Sequence, residues 1–162
     1  MTKSELLKVA KPILFNTEMV QAILDGRKTV TRRVIKPQPR KDLTYPLGWS
    51  YTTHKKGAFG WGEHECGGTI DMAKPRYHKG DILYVRETFY RTYPHKHGVN
   101  FYRADGEEIQ MPTIYGDTVT YGRADGLRWK PSIHMPKTAA RIFLKVTDVR
   151  VARLQDITEE QV

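Results

Sequence analysis

The sequence predicts a mainly β domain with short helices, an α+β fold whose strands form a small β-barrel. The strongest strand signal is residues 82–89, where the side chains alternate between two faces and are rich in β-branched and aromatic types. Two more strands are predicted at residues 99–103 and 118–121, each followed by Ala-Asp-Gly. Helical periodicity is confined to short stretches. Several strands with few helices are typical of a small barrel flanked by helices.

The first predicted helix runs from Thr17 to Asp25. Its apolar residues recur at helical spacing, namely Met19, Val20, Ile23 and Leu24. Asn16 or Thr17 can cap its start, and Gly26 can adopt the left-handed conformation that ends a helix.

Strands are predicted on both sides of this helix and near the end of the chain. Residues 11–15 form a short strand before it, and residues 29–35 are β-branched and alternate after it. Residues 141–151 are predicted to form a long strand. Residues 154–162 are predicted to begin a final helix, with Asp156 or Thr158 as its cap.

Two stretches show no regular pattern. Residues 1–11 are predicted to be a frayed leader. Residues 37–77 are rich in Gly and Pro, which predicts a long irregular insertion, given partial order by its aromatic residues. No linker or repeat divides the sequence, so residues 1–162 are predicted to form a single domain.

Composition narrows the class of protein. The chain has 162 residues and a formal net charge of +9, which favours an anionic partner such as nucleic acid. Cys66 is the single cysteine, so no internal disulfide can form, as is usual in a reducing cytosol. No stretch has the length and hydrophobicity of a membrane span or a signal peptide. We therefore expect a cytoplasmic protein without a membrane partner.

The densest cluster of functional side chains lies at residues 27–33. It contains Arg27, Lys28, Arg32 and Arg33 together with Thr31. Like charges around Lys28 would lower the pKa of its amine, and a neutral lysine can act as a general base for a threonine hydroxyl. The alternative interpretation is a solvated basic face that contacts phosphates.

Two other motifs are weaker. The segment Gly26-Arg27-Lys28-Thr29 is not a P-loop, because Arg27 and Gln21 occupy the positions where that motif requires glycine. Scattered histidines do not have zinc-site spacing, so no metal or other cofactor is predicted; the candidates considered are His64, Glu65, Cys66, His78, His95 and His97.

Glu87 lies on the face of the strongest strand that carries apolar residues. A buried carboxylate needs a partner, so Glu87 forms either a structural ion pair with an arginine or part of a site that holds Lys28 or a substrate amine. Trp129, Lys130 and His134 lie on a loop braced by two prolines. Trp129 either stacks on a base beside a phosphate-binding cation or closes the end of the barrel.

Three of these stretches together resemble the ASCH domain family, which has a PUA-like fold. They are the Gly-Arg-Lys-Thr-x-Thr core from Gly26 to Thr31, the Gly-Asp turn into Val-Arg-Glu at residues 80–87, and Ser-Ile-His-Met-Pro at 132–136. The similarity is greatest to the branch found in phage and prophage genomes, some of whose members are labelled morphogenetic proteins. It covers most of the chain except residues 37–77.

The resemblance implies a PUA-like β-barrel with a cleft for RNA or a modified nucleoside. Some family members are amidohydrolases that remove the acyl group from N4-acylated cytidine, and their lysine and threonine match Lys28 and Thr31. Their glutamate corresponds to a position just past Val162, near Glu159 and Glu160. In this hypothesis Lys28 activates Thr31 or a water, and Arg32 or His134 stabilises the oxyanion.

Two other functions remain as alternatives. In a non-catalytic RNA-binding module, Arg27, Arg32 and Arg33 would contact phosphates while Trp129 stacks on a base. In a phage assembly or interaction protein, the functional surface would be a large exposed apolar patch.

Overall fold

A computed structural model of the protein describes residues 2–36, 38, 40–49, 56–66, 68–91, 99–106, 108–112, 118–123, 128–152 and 154–156. The chain divides into two compact units, the first formed by Met1–Thr31 with Ile82–Lys145 and the second by Arg32–Asp81 with Val146–Val162. Their helices and strands are, in chain order, α1 (Lys3–Val9), β1 (Lys11–Leu14), α2 (Thr17–Leu24), β2 (Tyr45–Trp49), β3 (Phe59–Gly62), β4 (Ile70–Ala73), β5 (Ile82–Arg86), β6 (Phe89–Arg91), β7 (Asn100–Tyr102), β8 (Glu108–Pro112), β9 (Thr118–Arg123) and β10 (Phe143–Lys145).

The first unit is organised around β5. This strand pairs in parallel with β1 and antiparallel with β10, which gives the order β1-β5-β10. The hairpins β6–β7 and β8–β9 form separate two-stranded sheets. The core of this unit contains Tyr84 from β5, Phe89 from β6 and Met135 from the segment that precedes β10, together with Ala10, Ala139 and Ala140.

The second unit contains an antiparallel sheet in the order β2-β3-β4. Aromatic rings support it: Phe59 lies 5.3 Å from Trp49 and 5.0 Å from Trp61, measured between ring centroids. The segment predicted as an irregular insertion therefore forms three short strands, which the density of Gly and Pro concealed.

Within the described part of the chain, the structure is mixed, made mostly of strands with two α-helices, which confirms the predicted fold class at that level. The pairings of the described strands form four separate sheets and do not close into a barrel.

Several sequence predictions are confirmed. Helix α2 begins at Thr17, its N-cap is Asn16, whose side chain accepts a 2.8 Å hydrogen bond from the Met19 amide, and Gly26 follows with φ +73°. The strands predicted at 11–15, 99–103 and 118–121 correspond to β1, β7 and β9. The strand predicted at 82–89 is divided into β5 and β6, with Glu87 at the break.

Three predictions of secondary structure are wrong. The supposed leader at residues 1–11 contains α1, which is stabilised by a capping box between Thr2 and Glu5 that the sequence analysis missed. Residues 29–35 are β-branched but have no regular structure. The long strand at 141–151 is only β10, because its partner β5 begins at Ile82, opposite Lys145.

The end of the chain was predicted to begin a helix at residue 154. The structure has a 3₁₀ turn at Leu154–Asp156, and residues 157–162 lie outside the described part of the chain.

A buried ion pair connects β5 to the segment that leads into β10. Glu87 is 1% exposed and accepts two 2.9 Å hydrogen bonds from Arg141, one from Nε and one from Nη2. The remaining guanidinium nitrogen donates to Asp105 at 2.8 Å. Partial burial alone would lower the pKa of Arg141, but the hydrogen bonds to Glu87 and Asp105 outweigh it, so the pKa is raised. The guanidinium is therefore held in place between Glu87 and Asp105 within the first unit.

The ring of Tyr102 lies under this guanidinium. Its centroid is 3.9 Å from Cζ of Arg141, and its hydroxyl donates a 2.5 Å hydrogen bond to the Ala139 carbonyl. Burial is the main cause that raises the pKa of the Tyr102 phenol, and the positive charge of Arg141 opposes it. Tyr102 thus links β7 to the segment that precedes Arg141.

We expect Arg141→Ala to lower the free energy of unfolding by about 3–5 kcal/mol, because it leaves the Glu87 carboxylate buried without a partner. Arg150→Ala is the matched control, since Arg150 is 85% exposed and pairs with the exposed Asp148. The control should lose no more than about 1 kcal/mol in urea unfolding. Equal losses in the two variants would contradict the structural importance of the buried pair.

Tyr102 also predicts a dependence of stability on pH. A folded-state pKa above the ordinary tyrosine value contributes stability that is complete below about pH 10 and is lost as the pH rises through the folded-state pKa. The urea midpoint of the wild type should therefore fall more steeply above pH 10 than that of Tyr102→Phe. Parallel midpoints for the two proteins across this range would show that the phenol makes no such contribution.

Candidate functional site

A cleft of about 610 Å³ lies in the first unit, on the loop that follows residue 127. Three of its lining side chains belong to arginine or lysine, one is the imidazole of His134 and one is the indole of Trp129. None of the described residues that line it carries a carboxylate. The complete lining is Phe89, Arg91, Arg128, Trp129, Lys130, Pro131, His134 and Pro136.

The main chain of this loop is held against β6. The amide of Phe89 donates to the Lys130 carbonyl at 3.1 Å, and the amide of Lys130 donates back to the Phe89 carbonyl at 2.8 Å. This isolated antiparallel bridge fixes the neighbouring Trp129 at the start of the cleft wall.

The far end of the loop is held by β5. Ser132–His134 form a 3₁₀ turn, and the guanidinium of Arg86 donates to the Ile133 carbonyl within it. Met135 follows at 1% exposure, and its sulfur accepts a 3.2 Å hydrogen bond from the Glu87 amide. The cleft wall is thus attached at both ends to strands of the core, with Pro131 and Pro136 restricting the backbone between.

Trp129 is half-buried and contacts a second aromatic ring. Its centroid lies 6.5 Å from that of Tyr90 on β6, and the rings meet edge to face at 73°. Because Trp129 also lines the cleft, it packs against β6 and presents aromatic surface to the cavity.

The predicted binding residues Trp129, Lys130 and His134 are therefore brought together. Arg91 and Arg128 line the same cleft, and sequence reasoning missed both. The sequence could have indicated Arg128, because it is a second cationic residue directly beside Trp129. Arg91 had only its alternation with Phe89 along the strand, which points both residues to one face.

The predicted catalytic residues are not part of the cleft. Lys28 donates from Nζ to the Val30 carbonyl at 2.8 Å, and its nitrogen lies 6.0 Å from the centroid of the Phe15 ring. Thr31 is half-buried, and neither it nor Lys28 lines the cavity.

Of the two roles predicted for Glu87, the structure shows the ion pair with an arginine. Both of its carboxylate oxygens accept hydrogen bonds from Arg141, and the Lys28 ammonium bonds to a backbone carbonyl instead. The ion-pair interpretation of Glu87 is confirmed.

The other predicted basic residues are exposed. Arg27 forms a 2.8 Å ion pair with Asp25 at the end of α2. Arg32 and Arg33 belong to the second unit, where Arg33 donates to the Arg32 carbonyl at 3.0 Å. These arginines do not line the cleft described above.

Among the described residues, no group of three or more His, Cys, Asp or Glu side chains could hold a metal ion. His95 and His97 lie outside the described part of the chain. A search of the described helices for one long and apolar enough to cross a bilayer found none. Comparisons of the chain with protein-family models, curated proteins and solved structures found no match.

Proposed function

We propose that this protein is an RNA-binding module of the ASCH type, with a PUA-like fold, that holds single-stranded RNA in the cleft beside Trp129. The observation that carries the proposal is the composition of the cleft, whose described lining residues include one indole together with Arg91, Arg128 and Lys130 and include no carboxylate. Single-stranded nucleic acids are bound by this combination of a stacking ring and nearby cations.

The energetics of such a cleft suit a nucleotide chain. Stacking of a base on an aromatic side chain contributes about 1–3 kcal/mol, and it tolerates every base because each has a π face. Phosphates neutralised by arginine or lysine release counterions, which adds affinity that falls with salt. A formal net charge of +9 on the whole chain would further favour encounter with a polyanion.

The attachment of the cleft wall supports binding without rearrangement. Main-chain bonds at Lys130 and the Arg86 contact at Ile133 fix the loop before a ligand arrives. A preformed loop loses little conformational entropy on binding, so more of the contact energy is retained as affinity.

Replacing the indole tests the proposal directly. With a fluorescein-labelled eight-nucleotide RNA, we expect Trp129→Ala to weaken binding by roughly 5- to 150-fold in fluorescence anisotropy, the loss of one stacked base. Trp129→Phe should restore most of the affinity because it keeps an aromatic face. Wild-type affinity in Trp129→Ala would overturn the proposal.

The cations have a matched pair of variants. Lys130→Ala should reduce the slope of log Kd against log salt by about 0.7, the value for one lost phosphate contact on a single strand. Lys145→Ala, at an exposed lysine of β10 outside the cleft, should leave that slope unchanged.

Hydrolysis of N4-acylated cytidine is a second proposal, supported by the resemblance at Lys28 and Thr31. It predicts cytidine release from N4-acetylcytidine, with the rate lost in Lys28→Ala and in Thr31→Ala. Identical rates in these variants and the wild type, or no release by any of them, would remove this activity. The RNA-binding proposal would survive either result.

A further inference from the structure

The hairpin β6–β7 presents aromatic residues on both of its faces. In an antiparallel pair, directly opposed residues share a face, and here Phe89 opposes Tyr102 while Tyr90 opposes Phe101. Phe89 and Tyr102 belong to the core of the first unit. Tyr90 and Phe101 therefore lie on the other face of the hairpin, and both retain partial exposure.

The rings of Tyr90 and Phe101 form a series of neighbouring aromatic rings with Trp129. The centroid of Tyr90 lies 6.5 Å from that of Trp129 and 6.5 Å from that of Phe101. The Tyr90 and Phe101 rings are inclined by only 33°, so they present faces of similar orientation. The set of Trp129, Tyr90 and Phe101, here called the aromatic row, thus begins at the cleft and extends across β6 and β7.

Charge accompanies the aromatic row at the point where it leaves the cleft. Arg128 precedes Trp129 and lines the cleft, whereas Arg91 lies on the Phe89 face of β6, opposite the face that carries Tyr90. A strand of nucleic acid that stacks on the rings from Trp129 onward would place a phosphate beside the Arg128 guanidinium, which suits phosphate geometry.

We propose that Tyr90 and Phe101 form a second base-stacking subsite, so that the ligand of the cleft is a single-stranded oligonucleotide of several nucleotides and not a free nucleoside. This inference rests on the proposed RNA-binding function. A free nucleoside would cover Trp129 alone and would leave the cleft arginines without an anion. An oligonucleotide would place successive bases on the aromatic row.

The test is the dependence of affinity on ligand length. Uridine monophosphate and oligouridylates of two, four and eight nucleotides compete with a labelled octamer for the wild type, Tyr90→Leu, Phe101→Leu and Tyr45→Leu. Tyr45 is the control because it is an exposed tyrosine of β2 in the second unit. Thermal unfolding of each variant reports whether its fold is retained.

We expect the wild type and Tyr45→Leu to gain affinity with each added nucleotide up to the tetramer. Tyr90→Leu and Phe101→Leu should each lower the ratio of tetramer affinity to monophosphate affinity by roughly 5- to 150-fold, the loss of one stacked base. Wild-type length dependence in both variants, alongside weakened binding by Trp129→Ala, would overturn the second subsite alone. No binding of any length by the wild type would overturn the proposed function itself.

A measurement on the unaltered chain decides the matter if a variant unfolds. Photocrosslinking of the wild type to an octamer containing 4-thiouridine, followed by mass spectrometry, should identify Tyr90 or Phe101 as well as Trp129. Crosslinks at Trp129 without either of the other two would contradict the second subsite.

Discussion

The pairing of Arg141 with Glu87 is the constraint on which the rest of the first unit depends. The Glu87 carboxylate is 1% exposed, and a charge so deeply buried persists only with a partner that matches its geometry. Arg141, in the segment before β10, donates two hydrogen bonds to this carboxylate. Its third guanidinium nitrogen donates to Asp105, and the guanidinium lies over the ring of Tyr102. A single guanidinium therefore joins the break after β5, strand β7 and the segment before β10 within the first unit.

The loop that forms the cleft depends on the same framework. The Ile133 carbonyl accepts a hydrogen bond from Arg86, the last residue of β5, and the Met135 sulfur accepts one from the amide of the next residue, Glu87. These two neighbouring residues therefore support the far end of the loop. The division of charge is consistent. The carboxylates of Glu87 and Asp105 both form ion pairs with Arg141. By contrast, no described residue that lines the cleft carries a carboxylate to neutralise its cations. The cleft is left as an electropositive site with an aromatic wall, which is the basis of the proposal that it binds RNA.

Local signals in the sequence were sufficient for elements defined by local physics. Helix α2, its Asn16 cap and the Gly26 stop follow from spacing and residue type, as does the existence of strand β5. The sequence could not show which segments would find strand partners. Residues 29–35 have β-branched side chains but form no strand, whereas β2 and β3 pair with each other despite their glycines. For the site, a loop braced by prolines indicated Trp129, Lys130 and His134, but Arg91 joins them only through the bridge of Phe89 to Lys130. The emphasis on Lys28 came from charge density and from the resemblance at residues 26–31, neither of which reveals that its side chain is held by the Val30 carbonyl.

The central claim is that RNA contacts the indole of Trp129. The chain has three tryptophans, so a ¹⁵N-labelled sample gives three indole N–H signals, and Trp129→Phe identifies the one that belongs to the cleft. During titration with a short single-stranded RNA, the account predicts that the Trp129 signal shifts progressively while those of Trp49 and Trp61 remain in place. A stationary Trp129 signal at RNA concentrations that saturate binding would contradict the account.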